Sequence, residues 1–251
     1  MGRIHVRRPG LMGVTAGAVL RQVQSGMRQR GVARPAPACD RGQVPQPVLR
    51  TARLLLVPLA DRHLDLEVQL DSDPEVLRYL GGRARSAAEV AESHARRMAL
   101  TGRVDGLGFW MAFVSGGGKR GSAPPASELE GEFAGLMMLP PAHGPDQPDD
   151  PAVSDLGYRL ACRYWRQGLA SEASRVLLRH AFVTVGQNRV IAQTMSVNTA
   201  SRHVLQAIGM RYVRTFPSSD DLFPGTELGE VEYEITRGMW QALRGHEGAP
   251  T

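Results

Sequence analysis

Three apolar runs, 109–114, 132–139 and 153–160, follow one another with only Gly-, Ser- and Pro-rich connections between them. Each is long enough for a strand and too short for a helix, and neither 115–127 nor 140–151 has helical periodicity. The chain must therefore place an antiparallel meander at its centre. Upstream, 53–58 reads as a strand closed by Pro58, and Asp61 offers an N-cap to a helix carrying Leu64, Leu66, Val68 and Leu70. Asp73-Pro74-Glu75 predicts a short helix with Asp as cap and Pro at its first position, ending at Gly81-Gly82. Ser86-Ala87-Ala88-Glu89 has capping-box spacing and opens a helix to about Thr101. Downstream come a helix of about fifteen residues from Ala170, a strand at 190–195, and a helix at 199–208 ended by Gly209. Strands at 211–216 and 231–236 flank an acidic loop, and a short helix begins at Met239. Meander plus strand–helix–strand crossovers predicts an α+β fold: a mixed, mostly antiparallel central sheet flanked by helices.

Charge divides the chain. The total is +5, but residues 1–50 hold nine Arg against the single acid Asp40, so the rest carries −3. Residues 1–48 read as a basic, disordered arm, because they bury too little apolar surface to offset ordering entropy. An organelle transit peptide, an early start codon and a nucleic-acid- or membrane-touching tail are further readings of that arm. The body is assigned to 49–244 and a flexible tail to 245–251. No apolar run approaches the ~20 residues that cross a bilayer. Cys39 and Cys162 cannot build a disulfide framework or a thiolate zinc site, which fits reduced thiols in the cytoplasm and no metal.

The segment Gly157-Tyr158-Arg159-Leu160-Ala161-Cys162-Arg163-Tyr164-Trp165-Arg166-Gln167-Gly168-Leu169-Ala170-Ser171-Glu172 runs from a strand through a tight turn into a helix. First-turn amides have no intrahelical partner, and with the macrodipole they favour an anion. Gly168 and Ala170 keep the approach open, Ser171 offers a hydroxyl, and Arg163 and Arg166 add charge. This suits a diphosphate, although strand–turn–helix junctions of this kind are also common in structural roles. Neither a Walker loop nor a G-x-G-x-x-G fingerprint is present.

Together with Thr51-Ala52-Arg53-Leu54-Leu55-Leu56, Asp73-Pro74-Glu75-Val76 and Asn198-Thr199-Ala200-Ser201-Arg202-His203-Val204-Leu205, this segment resembles the GNAT superfamily of N-acetyltransferases over about 49–240. Within it the pattern is similar to the RimJ/RimL-like branch. The resemblance implies the GNAT fold, acetyl-CoA as acyl donor and direct transfer to a primary amine, either a protein N-terminus or a small molecule. It places Tyr158, Arg159 and Leu160 along the pantetheine arm. Arg163, Arg166, Gln167, Gly168, Leu169, Ala170 and Ser171 fall at the pyrophosphate, and Asn198 hydrogen-bonds the cofactor unless it is a plain N-cap. It allows a homodimer and calls for neither a membrane nor a nucleic acid as partner.

Two departures stand out. The family loop, Q/R-x-x-G-x-G/A, reads Arg163-Tyr164-Trp165-Arg166-Gln167-Gly168, with Arg166 at the first glycine. A tyrosine that protonates the leaving thiolate in many members is Leu205 here, leaving Ser201, water or nothing. Arg166 and the missing tyrosine at Leu205 keep an alternative open, a noncatalytic acyl-CoA sensor or regulatory module. Direct transfer requires a base to deprotonate the amine. Asp155 is the first choice, with Glu132 and Glu232 behind it. Cys162 reads as a packed thiol rather than an acyl relay, and His180 as a packing residue. Asp220, Asp221, Glu227 and Glu230, in the acceptor-side loop, would favour a cationic acceptor.

Overall fold

Strand β3 (Gly108–Val114) is buried along its whole length, and its side chains alternate between two cores. Trp110, Ala112 and Val114 belong to one cluster with Leu54, Leu56, Leu169, Ala173 and Leu177. Phe109, Met111 and Phe113 belong to a second with Leu55, Leu70 and Leu100. A sheet covered on both faces needs such continuous apolar strands, which is why 109–114 shows no polar alternation.

The computed structural model describes residues 45–115, 123–142, 150–218 and 223–247. The readings of residues 1–44, of Cys39, and of Asp220 and Asp221 lie outside them. Strands β1 (Leu49–Arg50), β2 (Leu54–Pro58), β3, β4 (Glu132–Leu139) and β6 (Gly157–Leu160) pair antiparallel in that order. A second sheet runs β5 (Val153–Asp155), β7 (Arg189–Met195), β9 (Glu230–Thr236), β8 (Arg211–Phe216), with β5–β7 its parallel pair. Helices α1 (Leu64–Asp71) and α2 (Ala87–Leu100) supply the second core. Helices α3 (Leu169–Arg179) and α4 (Thr199–Ala207) supply the first, and α5 (Arg237–Glu247) packs on β9. Among the described residues no helix is long and apolar enough to cross a membrane.

Ser86 caps α2 as expected: its hydroxyl accepts the Glu89 N–H and the Glu89 carboxylate accepts the Ser86 N–H. Other expectations change. Asp61 lies in a 3-10 turn ahead of α1 and does not cap it, its carboxylate being 3.3 Å from His94 Nε2. Residues 74–82 form successive turns rather than a helix, since Pro74 removes one donor and Asp73 takes the Glu75 N–H on its side chain. Helix α3 continues into a π-helical stretch, His180–Val185, where His180 Nε2 meets the Gly106 carbonyl. Gln46 donates to the Phe109 carbonyl and the Trp110 indole to the Pro47 carbonyl, so the folded body begins ahead of Leu49. Helix α5 runs past residue 244.

The change that matters for function is at 153–160, which is not one strand. Leu156 divides it. Ahead of it β5 joins the second sheet, and Leu156 itself gives its N–H to the Ile191 carbonyl at 2.8 Å. Beyond it β6 stays with β4, and the two sheets part between β6 and β7. Gly135 lets β6 lie close on β4: a Cβ there would stand 2.1 Å from the Arg159 carbonyl oxygen. On the α1/α2 side, Arg159 pairs with the fully buried Asp71 at 2.8 Å, tying β6 to the end of α1. Glu67 holds His94 and Arg97 nearby. Burial, followed by the Arg159 charge, pulls the Arg97 pKa down to about 10.

Candidate active site

Beyond β6 the chain makes a short 3-10 turn, Cys162–Tyr164, which the Tyr164 ring anchors in the core while its hydroxyl bonds Glu132 at 2.7 Å. Arg166 then takes φ 59° and Gly168 φ 77°, and α3 begins. Arg166 is the one non-glycine residue with positive φ among the described residues. It stands where the resemblance expects glycine because the turn demands a left-handed backbone, which costs an L-residue roughly 1–2 kcal/mol. Left-handed residues thus flank Gln167 on both sides, and alternation of left- and right-handed residues is the backbone pattern that can turn successive N–H groups toward one point.

Among the described residues, no acceptor receives the N–H of Arg166, Gln167, Gly168, Leu169, Ala170 or Ser171; the first bond into the helix is Glu172 N–H to the Gly168 carbonyl. Six consecutive donors without a protein acceptor at the positive end of a helix are an arrangement that favours an anion. They border a cleft of about 540 Å³ lined by Thr51, Arg53, Gln167, Gly168, Ser171 and Arg175.

A clamp that the sequence reading missed sets this loop. Glu172 accepts from the Thr51 hydroxyl, from Arg53 N–H at 2.8 Å and from Arg53 Nε at 2.8 Å, while Arg53 Nη1 donates to the Gln167 carbonyl at 2.9 Å. The signal was present as an acid in the first turn of α3 and a Thr-x-Arg before β2, but only the fold joins them. Burial would raise the Glu172 pKa, yet the bonds from Thr51 and Arg53 outweigh it and hold the carboxyl below its usual range. A depressed folded pKa means the stabilisation is present above the unfolded value and lost as pH falls through the folded one. Glu172→Gln is therefore expected to cost about 2 kcal/mol near neutrality. Thermal melts should show the gap to wild type closing in acid; a pH-independent gap would refute the ionised clamp.

The edge of β6 opposite β4 faces the parting of the sheets. Ala161 N–H and Asp155 N–H bond Ala134 and Pro140 on the β4 side, so alternation turns the amides of Tyr158 and Leu160 the other way. Trp165 Nε1 takes the Leu160 carbonyl at 2.7 Å, leaving the Tyr158 amide group and the Leu160 N–H along the gap. The Tyr158 hydroxyl crosses toward α4 and stands 3.1 Å from Ser201 Oγ and 3.2 Å from the Ser201 carbonyl. Burial pushes the Tyr158 phenol up to about 12, against the lowering effect of Ser201.

Other expected site residues separate. Arg163 lies over the Tyr164 ring at 4.8 Å and donates to the Phe133 carbonyl, so its charge is engaged with β4 and not with the loop amides. Arg159 has its side chain on Asp71, and by the same alternation its backbone N–H and carbonyl lie on the β4 side, so neither reaches the gap. Leu169 is core, and only its amide is available. Gln167 Nε2 folds back on the Arg163 carbonyl. Asn198 caps α4, accepting Ser201 N–H at 3.1 Å and donating to Thr194 Oγ1, so both ends of its amide serve the fold. Asp155 is half-buried at the end of β5, one residue before the parting. Glu132 is engaged by Tyr164, and the buried Glu232 by Gln193 and Arg214. Leu205 is 1% exposed, a core residue where the tyrosine would be. Burial, then Asp73, pushes the Cys162 thiol up to about 11, which makes it a poor nucleophile.

Comparison with known proteins decides the family. Residues 53–211 match the acetyltransferase (GNAT) domain. The chain belongs to this family. It is 37% identical over 203 residues to FsC-acetyl coenzyme A-N(2)-transacetylase of Aspergillus fumigatus, covering 79% of this chain and 80% of that protein. A GNAT-family acetyltransferase from Bacillus anthracis superposes with a TM-score of 0.58 at 18% identity, covering 76% of this chain and 99% of its own. RimL, a ribosomal alpha-N-protein acetyltransferase in complex with coenzyme A, gives 0.57 at 17% identity, covering 75% and 97%. These structures share the mixed, largely antiparallel sheet flanked by helices, and this GNAT chain is an acetyltransferase enzyme.

Proposed function

We propose that this GNAT enzyme transfers acetyl directly from acetyl-CoA to a nitrogen of a small molecule, without a covalent enzyme intermediate. The observation that carries the reading is the run of six unsatisfied amides from Arg166 to Ser171 beside an open sheet edge. The fit to acetyl-CoA is chemical: the amides and the α3 dipole suit a diphosphate, and the β6 edge offers one amide group and one N–H to an amide-bearing arm. A noncatalytic sensor is the weaker reading once the family and the transacetylase relative are known. The choice of a small-molecule acceptor is supported by that relative, whose name specifies a numbered nitrogen, N(2), rather than a protein terminus; the likeness to RimL is one of fold alone.

In this reading the loop amides bind the diphosphate and β6 aligns the arm so that the acetyl group lies at the parting of the sheets. Asp155 removes a proton from the amine, directly or through water. A free N–H of the β6 edge donates to the acetyl oxygen as it gains charge. The raised pKa of Cys162 leaves the acyl relay without a thiolate. A thiol-release screen with acetyl-, propionyl- and succinyl-CoA against small amines and N-terminal peptides tests the proposal. Release with small amines above the peptide rate is expected; release with peptides alone would transfer the protein to the RimJ/RimL-like class.

A further inference from the structure

The family's tyrosine on the last crossover helix is absent, yet a tyrosine hydroxyl reaches that helix from the other side of the gap. Tyr158, on β6, spans the parting of the sheets and meets Ser201 on α4 through both Oγ and the carbonyl. Ser201 is itself held: its N–H is bonded by Asn198 Oδ1, and Asn198 is fixed in turn by Thr194. Among the described residues the hydrogen-bond partner of the Ser201 hydroxyl is a phenol. Ser201 and Tyr158 lie between the strand that would hold the pantetheine arm and the helix that would flank the thioester sulfur.

We propose that Tyr158 is the proton source behind Ser201, replacing from the strand the acid that Leu205 removed from the helix. The inference rests on the acetyl-CoA reading above. As the amine nitrogen bonds the acetyl carbon, the C–S bond breaks and its electron pair goes to sulfur. Ser201 passes its hydroxyl proton to that sulfur and takes the Tyr158 proton in its place. Solvent water then returns a proton to the Tyr158 oxygen. Tyr158 acts through Ser201, so it is a positioning and supply residue, and Ser201 is the group that meets sulfur.

The test compares wild type, Tyr158→Phe and Ser201→Ala with two acetyl donors toward one small amine that the wild type accepts. Acetyl-CoA releases a thiolate that gains from a proton; 4-nitrophenyl acetate releases a stabilised phenolate that does not. With acetyl-CoA, Tyr158→Phe should lower kcat about tenfold and Ser201→Ala about 100-fold, within the span of acid catalysis. With 4-nitrophenyl acetate both losses should shrink several-fold, because the departing phenolate needs no proton. Equal losses with both donors would overturn the proposal in favour of a structural strut, and a wild-type rate in Tyr158→Phe with acetyl-CoA would overturn it outright. Calorimetric titration of acetyl-CoA into the same variants separates this from the underlying reading. Unchanged affinity in Tyr158→Phe is expected, whereas no heat with the wild type would remove the acetyl-CoA reading itself.

Discussion

Replacing Ser171 by Glu is expected to leave thermal stability equal or slightly raised while weakening acetyl-CoA at least about 100-fold, equivalent to about 2.7 kcal/mol. The two effects have one cause. Ser171 is the third residue of α3, where the helix end is positive and three amides have no acceptor. A carboxylate at that position interacts favourably with the macrodipole, by typically 0.3–1 kcal/mol. The same carboxylate fills and neutralises the site that a diphosphate needs. Calorimetry with acetyl-CoA and a thermal melt on one sample check both effects. Unchanged affinity would show that the amides from Arg166 to Ser171 do not hold the diphosphate. A large loss of stability would show that the half-buried Ser171 has a packing role that its surroundings do not reveal.

Gly135→Ala is expected to destabilise the protein by about 4 kcal/mol or more, among the largest effects of a single substitution. Gly135 sits in β4 at φ 153°, opposite Leu160, immediately after the point where β4 slips register against β3. An added Cβ would lie 2.1 Å from the Arg159 carbonyl and 2.7 Å from Leu160 Cα, both of them backbone atoms that cannot rotate away. To relieve the clash β6 would have to leave β4, taking with it the edge that faces the gap and the Tyr158 reach to Ser201. For a body of this size the loss corresponds to a fall in Tm of about 10 °C. A melt within 1–2 °C of wild type would mean that the β4–β6 approach is looser than described. Where the variant still folds, weakened acetyl-CoA binding should accompany the lower Tm.

Much of the molecule was legible in one dimension, for local reasons. The capping box at Ser86 and Glu89 is a contact between residues three apart, and it formed as read. Strand β4 took its expected bounds because an eight-residue apolar run between turn formers has few other fates. The turn into α3 was readable because a helix N-terminus leaves unsatisfied amides wherever it occurs. Asp73-Pro74-Glu75 failed as a helix start because the local cap it predicts formed without a following helix to support it.

Sequence alone determined the antiparallel meander, the α+β class and the position of the turn into α3, since each depends on spacing within one short segment. Tertiary structure alone decided where 153–160 divides, because that depends on whether Ile191 or β4 meets each amide. It also decided that Glu172 would hold Thr51 and Arg53, more than a hundred residues away, and that Tyr158 would reach Ser201. Hydrogen bonds across such separations are set by how two sheets and a helix pack around common cores. No periodicity in the chain encodes them.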